Sequence, residues 1–324
     1  MSATKNAKIT ESMLRKTQLI SIVVPVYNEE DVIPELLRRL TKFINSSKHY
    51  QYEVIFVEHG SWDKSFVLLS NAAKKDRHFK ILQLAKNVGA DGGIAAGMQH
   101  AHGDACVILM ADLQEPPELI DQLSEKWEQG YKIVYGLVKK RTAGMVRNFN
   151  SRLFYKVINL MTGHMFPENA SDFRLMDRVV YESVNRLKEH NKYLRGLVMW
   201  TGYPSIGVPF DRAERFAGTP KSDFRTVLKV ATNGILSFSY VPLRLVSTLG
   251  VIMTALSFIL GLFYLYLFIT EGRTAPGITT VILLTLILFG ILFFVLGIIS
   301  EYLARIYEEV KDRPPYLVKA KINL

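Results

Sequence analysis

Two apolar patterns divide the chain. In the first half, short apolar runs alternate with segments of helical spacing. Toward the other end lie two long runs with no charge at all. The short runs are 19–24 (Leu-Ile-Ser-Ile-Val-Val), 52–57, 79–84 and 106–110. Each has strand length and is broken by proline, glycine or a polar cluster. Between them, 31–43, 63–75 and 94–101 carry helical spacing, and Asp63 suits an N-cap. Alternating strands and helices predict a mainly parallel, Rossmann-like sheet with right-handed crossovers. The second half is less regular. Segment 148–161 reads as an amphipathic helix, 171–175 follows a turn at Pro167, 182–190 is helical, and 227–237 suits a membrane surface.

The long runs are 26 residues between Arg244 and Glu271 and 27 residues between Arg273 and Glu301. Each exceeds the roughly 20 apolar residues that cross a bilayer. A short connector makes them a hairpin, expected at about 245–270 and 276–300. The connector holds one Glu and one Arg, whereas the chain as a whole carries +10. The positive-inside rule then places both termini in the cytoplasm. Cys106 is the single cysteine, so nothing implies a disulfide framework. The first 16 residues are polar and do not read as a cleavable signal. Segment 212–244 has six basic and two acidic residues, net +4, immediately before the first long run. With a bilayer adjacent, the expected polyanion is lipid phosphate, not nucleic acid.

Three of the four strands end in polar clusters: Tyr27-Asn28-Glu29-Glu30, Glu58-His59-Gly60-Ser61 and Asp112-Leu113-Gln114-Glu115. In open α/β sheets ligands bind at the carboxyl ends of strands, so the clusters converge on one crevice. Asp112 there suits a metal ion or a charged ligand.

The motifs extend beyond these clusters. Val24-Pro25-Val26-Tyr27-Asn28-Glu29-Glu30, Phe56-Val57-Glu58-His59-Gly60-Ser61, Asp112-Leu113-Gln114-Glu115-Pro116-Pro117-Glu118, Ser171-Asp172-Phe173-Arg174 running on to Arg178, and Arg212-x-x-Arg215-x-x-Gly218 occur in that order ahead of the hairpin. Together they resemble family 2 glycosyltransferases of the GT-A fold, in the polyprenyl-phosphate branch related to dolichol-phosphate mannose synthase. Three positions depart from the family pattern. Glu58-His59 stands where the family has Asp-Asp, Met110 stands where it has the first aspartate of Asp-x-Asp, and Pro220 precedes Lys221 where it tends to have serine.

The resemblance implies transfer of a sugar from a nucleotide to a lipid-linked phosphate. Pro25, Tyr27, Asn28, Glu29 and Glu58 would frame the nucleotide, and Lys86, after Leu84 and beside glycines 89, 92 and 93, would reach its pyrophosphate. Asp112 and Gln114 are the surviving oxygen ligands for Mg²⁺ or Mn²⁺, since the thioether of Met110 is a poor ligand for a hard cation. Whether a metal is required is left open. Glu115 is either a helper or a helix N-terminal acid, and His59 a ligand, a donor or a surface residue. Arg174, Arg212, Arg215 and Lys221 would meet phosphate charge. Asp172 would orient the acceptor. A phosphate monoester, with a second pKa of about 6, needs little help from a general base.

The expectation is therefore a polar extension (1–18), a GT-A domain (19–211), a basic juxtamembrane stretch (212–244), the hairpin (245–300) and a cytoplasmic tail (301–324). The protein would sit in the inner (plasma) membrane. It would take a nucleotide-sugar, expected to be a UDP-sugar, and polyprenyl phosphate, and assemble as the family often does, as a tetramer. The alternative is a homologue that binds these ligands but has lost turnover.

Overall fold

The computed structural model describes residues 18–139, 167, 169–189, 192–213, 216, 239–271 and 277–324. The expectations for 148–161 and 227–237, and for Arg215, Gly218, Pro220 and Lys221, lie outside these residues.

Strands β1 (Leu19–Val26), β2 (Gln51–Glu58) and β3 (Phe79–Leu84) are buried along nearly their whole length. This is what continuous apolar runs give when helices cover both faces of a sheet. With β4 (Ala105–Ile108) they form parallel neighbours in the order β4-β1-β2-β3. The connecting helices are α1 (Ile33–Ser46), α2 (Ser65–Lys75) and α3 (Gly89–Met98). α1 buries Ile33, Leu36, Leu40 and Phe43 at helical spacing. Each such side chain contributes roughly 1.5–3 kcal/mol. α2 begins at Ser65 with Lys64, not the expected Asp63, at the N-cap position, and Asp63 Oδ1 accepts the Ser65 N–H at 2.9 Å from one residue further back. α3 starts five residues earlier than its apolar spacing predicts. Its Gly97 lies so close to the sheet that a Cβ would stand 2.3 Å from Val23 Cγ1.

Beyond β4 come α4 (Leu119–Glu128), β5 (Ile133–Val138), β6 (Ala170–Asp177), α5 (Arg178–Arg186), α6 (Leu194–Trp200) and β7 (Ser205–Phe210). β6 runs antiparallel to β4 and to β5, while β7 is parallel to β5. α5 was expected at 182–190. It begins earlier, where Asp177 accepts the Val179 N–H at 3.1 Å.

Helices α7 (Val241–Glu271) and α8 (Ile278–Val310) are the two long apolar runs, both long and apolar enough to cross a membrane. They outlast the expected spans, because the charged residues after Ser300 remain helical, with Glu301 and Arg305 paired at 3.5 Å. Residues 301–324 are not a tail. After α8, β8 (Val318–Ile322) joins the sheet edge antiparallel to β3, giving the order β7-β5-β6-β4-β1-β2-β3-β8. Two compact units result. Residues 314–324 belong with the N-terminal unit that holds the sheet, and 232–313 form the other.

Candidate active site

The first wall of the site is built where β1 and β2 end. Asn28 takes a left-handed backbone (φ 52°), which asparagine tolerates. Its N–H donates to Ser61 Oγ at 3.0 Å, and its Oδ1 accepts the Trp62 N–H at 3.1 Å. Glu29 donates its N–H to Ser65 Oγ, and the Glu30 carboxylate accepts from the Lys64 N–H, both at 3.0 Å. The two loops are thus laced together. Glu58 is fully buried. One of its oxygens accepts the Ser61 N–H, while Oε2 has no hydrogen-bond partner. A buried orphan acceptor is costly unless a ligand satisfies it. Gly60 (φ 82°) closes the turn against the Lys86–Asn87 backbone, 3.0 Å from where a Cβ would be, and the Lys86 side chain is exposed beside it.

His59 is not a surface residue. It is 5% exposed, stacks on Tyr27 at 5.4 Å and 13°, and pairs through Nδ1 with Asn87 Oδ1 at 3.2 Å. A Cβ on Gly93 would lie 3.1 Å from its ring and 3.4 Å from buried Pro25. Tyr27 and His59 give this part of the site an aromatic wall.

The second wall is the end of β4. Asp112 is 8% exposed, and its Oδ1 accepts the Gln114 N–H at 3.2 Å. Leu113 between them is buried with φ 57°. Such a conformation costs a non-glycine residue about 1–3 kcal/mol and persists only where packing enforces it. Gln114 is tied to the chain after β7, its carbonyl accepting the Ala213 N–H at 3.1 Å. Glu115 is no helix N-terminal acid: it is fully buried. Its Oε1 accepts from Ser171 Oγ at 2.8 Å and meets Arg212 at 3.2 Å, while Oε2 is a second orphan. Burial raises its pKa, opposed by the charge of Arg212.

Because β6 is antiparallel to β4, its first residues stand at the end of β4. Ile108, the last residue of β4, faces Arg174, so Asp172 lies just beyond the paired end of β4. Asp172 is gripped by Arg195 of α6, with Nε to Oδ1 at 3.0 Å and Nη2 to both oxygens at 2.8 Å. Arg174 lies 3.5 Å from the same carboxylate. It is almost fully buried and also donates to the carbonyls of Ser171 and Asp172. Burial alone would raise the pKa of Asp172. The charges of Arg195 and Arg174 outweigh it and hold the carboxyl below its usual range. Asp91, in the first turn of α3, shares this field. Burial, then the charge of Asp172, pushes it up to about 7 against Arg195 and Arg174.

The domain that carries these strand ends matches a known family. The family model for glycosyl transferase family 2 matches residues 21–184. The chain belongs to that family. An uncharacterized glycosyltransferase of Bacillus subtilis (strain 168), YkcC, is 41% identical over 94% of both chains. The SfII prophage-derived bactoprenol glucosyl transferase of Shigella flexneri is 35% identical over 93% of this chain and 97% of its own. Among solved structures, a glucosyl-3-phosphoglycerate synthase from Mycobacterium tuberculosis, in complex with Mn²⁺, UDP-glucose and phosphoglyceric acid, aligns with TM-score 0.47 at 14% identity. The alignment covers 68% of this chain and 78% of that one.

In this glycosyltransferase the donor set for a hard cation is thin. Met110 offers a thioether, Glu115 is turned onto Arg212 and Ser171, and Asp112 is the one carboxylate left beside Gln114. Among the described residues no three His, Cys, Asp or Glu side chains are gathered in metal-binding proximity. One carboxylate is too few for a site built by side chains alone, and a divalent ion here would draw its other ligands from substrate phosphates and water. Sequence reasoning placed Glu58, Asp112 and Gln114 at strand ends, and the family resemblance added Asp172, Arg174 and Arg212. It missed Arg195, Asp91 and the bridging role of Glu115. Arg195 lies 23 residues beyond the aspartate it grips, on a helix with no motif of its own.

Proposed function

We propose that this glycosyltransferase transfers a hexose or N-acetylhexosamine, with inversion, from a UDP-sugar to polyprenyl phosphate at the cytoplasmic membrane face. The observation that carries the reading is the connectivity. The chain leaves the sheet, builds two helices long enough to span a bilayer, and returns to the same sheet as β8. A catalytic unit tethered this way meets an acceptor that resides in the membrane. The bactoprenol glucosyl transferase relative supports a lipid phosphate acceptor and puts glucose first among donors.

The chemistry follows from charge. An acceptor phosphate oxygen attacks the anomeric carbon. The bond from that carbon to the β-phosphate oxygen breaks, and the nucleoside diphosphate leaves with the electron pair. The nucleophile is already ionised, so no side chain has to remove a proton. Asp172, held ionised and turned by Arg195, orients the acceptor, and Arg195 offsets the repulsion that a bare carboxylate would exert on a phosphate. Glu58 Oε2 awaits a donor from the nucleotide. Arg212, 41% exposed, faces developing charge on the leaving diphosphate.

The test is purified full-length protein with a panel of radiolabelled nucleotide-sugars and undecaprenyl phosphate. One donor, expected to be UDP-glucose or a UDP-N-acetylhexosamine, should label the lipid fraction, and Asp172→Ala should lower the rate at least about a hundredfold. Met110 favours a second reading, a homologue that binds but does not turn over. Nucleotide binding without labelled lipid from any donor would establish that reading and overturn the first.

A further inference from the structure

We propose that the donor diphosphate is held in this chain by Arg195 and Arg212, without a divalent cation. The inference rests on the nucleotide-sugar reading above and concerns the same site. A diphosphate brings two or more negative charges to the strand ends and gains another on departure, so something cationic must answer it. Two solutions are available to a protein, a metal held by carboxylates or a set of guanidiniums.

The residues argue for the second. Two residues past the end of β4 the chain carries Met110, whose thioether is a poor ligand for a hard cation. The nearest remaining carboxylates are engaged, Asp112 with the Gln114 N–H and Glu115 with Ser171 and Arg212. In the same space stand three guanidiniums. Arg174 is buried at 4% side-chain exposure and committed to backbone carbonyls, so it acts as a fixed charge. Arg195 and Arg212, at 25% and 41%, keep faces toward solvent. Each already binds a carboxylate, and the planar fork that grips a carboxylate grips a phosphate in the same way. Glu115 connects the two arms. Its Oε1 meets both Arg212 and Ser171, the neighbour of Asp172. A diphosphate reaching between Arg212 and Arg195 would lie along that bridge.

The experiment is calorimetric titration of UDP into the full-length protein in detergent, after exhaustive EDTA treatment and again with Mn²⁺. Chelation should change the affinity by less than about twofold. Arg195→Ala and Arg212→Ala should each weaken it by about tenfold or more, the value of one hydrogen bond to a charged group. Arg195→Lys keeps the charge and should lose less, which separates lost binding from misfolding. Thermal unfolding of each variant checks the same point. Met110→Asp restores a carboxylate and should make UDP binding respond to Mn²⁺, a response the parent lacks. If the parent loses more than about tenfold on chelation and recovers with Mn²⁺, the proposal is overturned and the donor reading stands. If no nucleotide binds under either condition, the donor reading falls and takes the proposal with it.

Discussion

Asp91 is a residue whose charge near neutral pH is set by its surroundings. Its folded pKa, about 7, lies above the ordinary 3.8, chiefly through burial and then through the charge of Asp172. A raised carboxyl contributes stability that is complete below pH 3.8 and is lost as pH climbs through about 7. Asp91→Asn should therefore be more stable than the parent at pH 8, by on the order of 1–2 kcal/mol after screening of a partly exposed group, and the gain should shrink at pH 6. Thermal unfolding at the two pH values measures this, and an equal gain at both would refute it. The same group couples to the ligand. Asp172 and Arg174 from β6, Arg195 from α6 and His59 from the end of β2 surround the start of α3. An anion bound among them raises the Asp91 pKa further, so binding takes up a proton. UDP affinity should fall as pH rises through 7, more steeply in the parent than in Asp91→Asn. Nothing in the local sequence points to this. An aspartate among glycines reads as a turn, and its titration is set by burial and by charges 81 or more positions away, both of which come only with the fold.

At the scale of elements, β8 carries the clearest prediction. It covers the β3 edge through pairs from Ile81–Ile322 to Leu84–Val318, and the Asn323 amide donates to the carbonyls of Ala73 and Phe79 at 2.8 and 2.9 Å. Ending the chain after Pro315 removes this ladder and leaves the outer edge of β3 unpaired, its other edge staying on β2. The truncated protein should lose roughly 2–4 kcal/mol, since each ladder bond nets about 0.5–1.5 kcal/mol. A melting temperature within error of the parent's would show that β8 is not part of the stable sheet. The contrast between β8 and the inner strands also explains what could be read from sequence. β1 to β4 are legible because burial on both faces demands unbroken apolar runs ending in polar clusters, and Glu58, Asp112 and Asp172 are legible with them. Val-Lys-Ala-Lys-Ile faces solvent on one side and passes for a charged tail. α3 hides its first turn because Gly89, Gly92 and Gly93 carry no helical signal, although the helix is there. Arg195 hides for another reason: its function exists only once α6 packs beside β6.

At the scale of the molecule, a sheet interrupted by two membrane-length helices and then completed fixes parity. Residues before α7 and after α8 belong to one folded unit, so if these helices cross a bilayer the expected number of crossings is even. A cysteine placed in the connector 272–276 should react with an impermeant maleimide on the outer face of intact cells, while one at Lys319 should react only after lysis. The native Cys106 is fully buried and contributes little background. Labelling of both positions from outside would exclude the hairpin. The late strand also sets an order in time. During synthesis β1 to β7 leave the ribosome first, then the hairpin, and only afterwards β8. Through the whole interval of membrane insertion the β3 edge is open, and an open edge is a template for wrong pairing. A hairpin that failed to turn back would strand β8 on the far side of the bilayer and leave that edge open for good. Closure of the sheet is thus the last step available to this chain, possible only after both long helices have been made.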